Sequence, residues 1–180
     1  MECEVRPATS EDTAAISSVV IAALRESNSQ DYSPDVIAQV ERSFAPEVIG
    51  ALFDKRKIFV ALLGENITGT ASLDGDVVRS VFVDPAYQGG GIGGQLMDAI
   101  HATATSSGVG ALRVPSSITA QKFYAALGYQ IIRDEFHGAE RTIIMEKRLA
   151  GQSRPFTHLC DRRSVISLAR CAGRRVRTPF

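Results

Sequence analysis

The residues that most suggest chemistry are glycines. From Val81 to Leu96 the chain reads VFVDPAYQGGGIGGQL: a β-branched run, a stop at Asp84-Pro85, then Gly89, Gly90, Gly91, Gly93 and Gly94 around Ile92. Glycine has no Cβ, so a turn built from it lets successive backbone N–H groups converge on one ligand. A helix expected from about Gly91 to Ser107 adds unpaired N–H donors and a partial positive charge at its first turn. Together these suit a pyrophosphate. Two familiar ligands can be weighed directly. A mononucleotide loop needs Gly-Lys-Ser/Thr, but Gly94 is followed by Gln95 and Leu96. A dinucleotide fingerprint is formally present in Gly89, Gly91 and Gly94. It requires a βαβ unit and an acidic residue after the next strand, and Val114-Pro115-Ser116 supplies none. The cysteines, Cys3, Cys160 and Cys171, stand far apart at no metal-like or redox spacing. No metal is expected, and reduced thiols suit the cytosol.

Hydrophobic periodicity outlines the elements that must carry this turn. A strand around Cys3 to Arg6 meets Pro7, and Thr9 with Asp12 reads as a helix cap. Ile16, Val19, Val20, Ala23 and Leu24 recur at helical spacing. Ser33-Pro34 starts a second helix, and Pro46 a short third one with Val48, Ile49, Leu52 and Phe53 facing inward. Strands follow at Ile58 to Leu63, Ile67 to Leu73 and Val77 to Val83, joined by tight turns. After the glycine turn and its helix, Ala111 to Val114 is a strand stopped by Pro115. Ile118 to Leu127 is a helix with Ala120, Phe123, Tyr124 and Leu127 on one face and Gly128 as its cap. Ile131 to Phe136 and Thr142 to Lys147 close as a hairpin. The pattern predicts an α/β domain with a mixed sheet of about seven strands and helices on both faces.

Two of these segments together resemble the GNAT superfamily of acetyl-CoA-dependent acyltransferases. Gln88, Gly91 and Gly93 match its Gln/Arg-x-x-Gly-x-Gly/Ala signature. Ala120, Phe123, Tyr124, Gly128 and Tyr129 match its Ala-x-x-Phe-Tyr-x-x-x-Gly-Tyr/Phe helix. The similarity runs from about Val5 to Leu149. It implies that the fourth and fifth strands splay apart and that acetyl-CoA lies between them. Pantetheine amides would bond to the backbone of Val81, Phe82 and Val83, and the pyrophosphate to the turn from Gln88 through Gly89, Gly90, Gly91, Ile92 and Gly93 to Gly94. Ser117 stands where many members carry asparagine, and Lys122 is in reach of phosphates or simply solvated.

The resemblance gives Tyr124 a role beside the cofactor sulfur, protonating the departing thiolate as an amine attacks. A phenol of pKa about 10 is protonated at neutral pH and can do this. The alternative is that Tyr124 only fills the core-facing stripe. The general base is left open: Glu135, His137 and Asp76 are candidates, with Arg79 as a substrate contact, against the plain reading of exposed polar residues. His101 is expected on the surface. Tyr32 lies in the stretch that borders the acceptor site in the resembled family.

Composition frames this reading. At 180 residues the chain suits one domain, residues 1–150, with a basic extension at 151–180. From Gln152 to Phe180 there are seven arginines and one aspartate, leaving 13 basic and 19 acidic residues in the remainder. An acidic body argues against nucleic-acid binding and suits a cationic amine or basic peptide terminus. The extension reads as a disordered tail or a short amphipathic helix. The opening MECEVRPATSED has no apolar leader region and no apolar run is long enough to span a bilayer, so a soluble cytoplasmic protein with no membrane partner is expected. Monomer and homodimer remain alternatives. The function expected is acetyl transfer to a primary amine in a ternary complex; the rival is a silent acyl-CoA-binding sensor on the same scaffold.

Overall fold

The computed structural model describes residues 2–26, 38, 41–137 and 140–149. Among them seven strands form one sheet: β1 Cys3–Pro7, β2 Lys57–Leu63, β3 Asn66–Asp74, β4 Val77–Val83, β5 Ala111–Ser116, β6 Gln130–His137 and β7 Glu140–Arg148. Their order is β1-β2-β3-β4-β5-β7-β6, and every neighbouring pair is antiparallel except β4 with β5. The helices whose bounds lie among the described residues are α1 Thr13–Glu26, α2 Pro46–Leu52, α3 Ile92–Ser106 and α4 Gln121–Ala126. Of the helix predicted from Ser33-Pro34, only Ala38, Glu41 and Arg42 are among the described residues, and they are helical; the basic extension lies outside them.

Strand alternation sorts the core into two layers. In β2, Phe59 and Ala61 join a cluster built on Leu96, Met97, Ile100 and Ala104 of α3. The intervening Ile58 and Val60 join Ile16, Val20 and Leu24 of α1 and Ile49 of α2. Because both faces are covered, β2 is a nearly unbroken apolar run rather than an alternating one. Each such buried side chain contributes about 1.5–3 kcal/mol by leaving water. The polar members of β3 are accommodated by bonding: the buried Thr68 and Thr70 hydroxyls donate to Ala61 O and Phe59 O at 3.3 and 3.1 Å. Asp12 accepts from the Thr9 N–H at 2.7 Å, as the cap spacing anticipates, at a short 3-10 turn leading into α1.

Several local expectations change. Val48 of α2 is exposed and only Ile49 of that helix is buried, because seven residues turn a narrow face inward. The carboxy-terminal helix is shorter than its apolar stripe, starting at Gln121 after a turn in which Ser117 Oγ accepts from Ala120 N at 3.2 Å. Pro115 does not end β5, which continues to Ser116. The register explains this. Arg113 N donates across to Asp76 O at 2.9 Å, so by alternation the nitrogen of Pro115 also faces β4 rather than β7. A proline there removes no bond from the β5–β7 ladder.

Candidate functional site

The parallel pair β4–β5 touches at one register point, Val77 opposite Arg113, and then diverges. Three local features explain the gap. In β4, Ser72 faces Arg79 while Thr70 faces Phe82, so Ser80 and Val81 together oppose Ala71. This is a bulge, and Ser80 takes φ 52°, a left-handed conformation unusual for a residue with a Cβ. Bulges bend and twist the strand that carries them. Opposite, Pro115 has no N–H to offer β4. Beyond Val83 the chain leaves the sheet through Asp84, whose carboxylate accepts from Ala86 N at 2.9 Å.

The result is a cleft of about 640 Å³. One wall is β4 from Val78 to Val83. The other is Val114 to Ser117 with Thr119, Ala120, Phe123 and Tyr124, and Thr142 of β7. Ala23 and Leu24 of α1 and the turn residues Tyr87 to Gly89, Gly91, Ile92, Gly93 and Gly94 complete it. Asp84 N donates to Thr68 O at 2.8 Å, so by alternation the peptide groups of Val83 point away from β3 and toward the cleft. Gln88 Nε2 donates to Val83 O at 3.0 Å, tying the turn to that edge.

The glycine turn has the backbone that phosphate binding needs. Gly89 and Gly91 sit at φ 79° and 82°, and Gly91 is the N-cap of α3. A Cβ on Gly93 would come within 3.2 Å of the Phe123 ring, so this glycine lets α3 and α4 approach. The unpaired N–H groups at the start of a 15-residue helix fit a diphosphate. The open edge of β4 fits the amides of an extended pantetheine chain.

Tyr124 projects from α4 onto this cleft and is 5% exposed. Its ring meets Phe123 at 5.0 Å and Tyr129 at 5.7 Å, both edge-on. Gly128, at φ 88°, ends the helix; its N–H donates to Ala125 O and that of Tyr129 to Tyr124 O, at 3.0 and 3.1 Å. No hydrogen bond within the described residues occupies the Tyr124 hydroxyl. Burial, and secondarily Tyr129, pushes the phenol well above its ordinary value.

The remaining sequence-predicted residues divide. Val81, Phe82, Val83, Gln88, Gly89, Gly91, Ile92, Gly93, Gly94, Ser117, Tyr124 and Arg79 all line the cleft. Gly90 lies on the outer side of the turn, beside Cys3 and Gln95. Lys122 is exposed and does not line the cleft, because it follows Gln121 on the outward face of a six-residue helix. Glu135 pairs with Arg133 on β6, away from the lining. Asp76 pairs with Arg113 at the closed root; that bond holds its carboxyl below the ordinary range and makes it a weak base. His101 is half-buried rather than fully exposed: its Nε2 lies 3.1 Å from the Tyr129 hydroxyl, and desolvation followed by Lys147 lowers its pKa. Tyr32 and the side chain of His137 lie outside what the structure describes. Sequence reasoning missed Ser80, whose strain has no local signal, and Thr119 and Thr142, which only the tertiary fold brings to the cleft.

Known proteins share this fold. A family model described as an acetyltransferase (GNAT) domain matches residues 28–149. An uncharacterized N-acetyltransferase of Escherichia coli K12, YafP, is 27% identical over 127 residues, covering 69% of this chain and 79% of its own. Among solved structures, a GCN5-related N-acetyltransferase (aminotransferase, class-II) from Rhodopseudomonas palustris superposes with TM-score 0.77 at 26% identity, over 83% of this chain and 97% of that one. The PaiA N-acetyltransferase of Thermoplasma acidophilum, solved with coenzyme A, superposes with TM-score 0.72 at 18% identity, over 82% and 99%.

Proposed function

The chain belongs to the GNAT acetyltransferase family and is an N-acetyltransferase, and on that premise we propose that it moves an acetyl group from acetyl-CoA to a primary amine by direct attack. The observation that carries this reading is the splay of β4 from β5, running from the glycine turn to the Tyr124 hydroxyl. The PaiA relative was solved with coenzyme A, and the glycine turn here has the donors for its diphosphate.

In this reading the backbone from Gly89 to Gly94 holds the diphosphate and the cleft edge of Val81 to Val83 pairs with pantetheine. The neutral amine attacks the acetyl carbon, a C–N bond forms, and the C–S bond breaks with its electron pair on sulfur. Tyr124 meets that charge. Because burial raises its pKa, the phenol is fully protonated at any physiological pH. The same shift limits it: complete transfer to a thiolate of ordinary pKa about 8.5 runs uphill. Its hydroxyl therefore acts first as a hydrogen-bond donor to sulfur as charge develops, from a side chain that is itself buried. Asp76 is a poor candidate for the base that takes the amine proton, since Arg113 already occupies it.

The test is free-thiol release from acetyl-CoA against a panel of primary amines, with calorimetry for acetyl-CoA and NAD. Acetyl-CoA binding with amine-dependent thiol release is expected. Binding without release for any amine favours a silent sensor, and tighter NAD binding removes the reading altogether.

A further inference from the structure

Arg79 lines the cleft from β4, and among the described lining residues it alone carries a formal charge. Its Nε is buried without a hydrogen-bond partner, and no ion pair engages its guanidinium within the described residues. Other arginines of the domain are treated differently. Arg6, Arg56 and Arg113 meet Asp12, Asp74 and Asp76. Arg79 is half-buried, and a guanidinium whose Nε is cut off from water with no counter-charge among the described residues is unfavourable unless something completes it. Its position says what. β4 runs from its contact with β5 at Val77 toward the glycine turn, so Arg79 lies near the root of the cleft. A strand rises about 3.3 Å per residue, which sets Arg79 roughly 13 Å before Val83. A donor with its diphosphate on the turn and its arm along β4 points its acyl end at this root.

From this we propose that Arg79 recognises the acceptor, and that the acceptor is a small primary amine that also carries a carboxylate. This rests on the acetyl-transfer reading and deepens it. A guanidinium presents a planar fork of N–H donors that matches a carboxylate in two parallel bonds. The net acidity of the body suggests a cationic acceptor, but the lining decides locally: no Asp or Glu among its described residues would receive an ammonium group. The Arg79 charge also disfavours the protonated amine, leaving the nucleophilic form. On the same face of the sheet as Arg79, Phe82 and Leu24 of α1 are apolar and suit the carbon skeleton between the two groups.

The experiment compares matched acids and carboxamides: glycine, β-alanine, 4-aminobutyrate, methionine and phenylalanine, each with its amide. Thiol release is followed for the wild type, Arg79→Gln and Arg79→Lys, with melting temperature and acetyl-CoA affinity measured for each. At least one acid should exceed its amide in kcat/KM by about 10- to 100-fold, the range of a charged hydrogen-bonded pair. The ratio should fall toward one in Arg79→Gln and lie between in Arg79→Lys, with acetyl-CoA affinity unchanged. Amides turned over as well as acids, or a preference that survives in Arg79→Gln, would overturn the assignment of Arg79 and leave acetyl transfer standing. No release with any amine, although acetyl-CoA binds, overturns the transfer reading and this inference with it.

Discussion

Replacing Tyr124 with phenylalanine separates a chemical role from a packing role. The ring is kept, and with it the edge contacts to Phe123 at 5.0 Å and Tyr129 at 5.7 Å. Only the hydroxyl is lost, and within the described residues it has no hydrogen-bond partner to leave behind. The usual cost of about 1 kcal/mol for a deleted hydrogen bond therefore does not apply, and stability should change by less than about 0.5 kcal/mol. For a domain of this size that is a shift in Tm of about 2 °C or less. Turnover should behave differently. A donor aimed at a developing charge contributes about 10²- to 10³-fold, roughly 3 to 4 kcal/mol of barrier. The assay is thiol release under conditions limited by chemistry, alongside calorimetry for acetyl-CoA, whose affinity should hold. The pH profile adds a second readout. Burial raises the Tyr124 pKa, so its protonated form persists to higher pH than a free phenol's. The wild-type rate should rise as the amine loses its proton and show no alkaline fall from Tyr124 up to about pH 10. A Phe variant with normal turnover would refute the reasoning, as would a wild-type fall near pH 9 that the variant lacks.

The Arg6–Asp12 pair, with bonds of 2.8 and 3.0 Å, holds the Asp12 carboxyl down to about 2. A depressed pKa stabilises the fold above the unfolded value near 4, and that contribution is lost as pH falls from about 4 to 2. Asp12→Asn should cost about 1 to 2 kcal/mol at pH 7, discounted for the partly exposed Arg6, and almost nothing at pH 2; urea midpoints across pH report it. Gly91→Val should fold, since a Cβ there meets no atom within 4 Å, yet at φ 82° it should lose about 1 to 2 kcal/mol and bind acetyl-CoA at least tenfold more weakly. Normal calorimetric affinity in a folded Gly91→Val would remove the phosphate assignment.

Much of this protein is legible along the chain because it is set by neighbours in sequence. The glycines from Gly89 to Gly94 announce a backbone that approaches a ligand, and in the fold Gly89 and Gly91 take left-handed conformations. The stripe of Ala120, Phe123, Tyr124 and Leu127 with Gly128 behind it fixes which face of a short helix is buried, because side-chain spacing and an αL cap are local matters. The cleft between the fourth and fifth strands followed from family resemblance to two such segments, not from periodicity, and the order of strands in the sheet came only with the structure. What only the tertiary structure decided are relations between distant segments. Pro115 reads as a strand stop until β7 supplies its ladder and β4 departs from its other side. His101 reads as a surface residue until Tyr129, 28 positions later, folds against it. Ser80 carries strain because Ala71 opposes two residues of β4, and among the described residues Arg79 lacks a carboxylate that other arginines found. Burial and pairing are sums over the whole chain, so no window of sequence contains them.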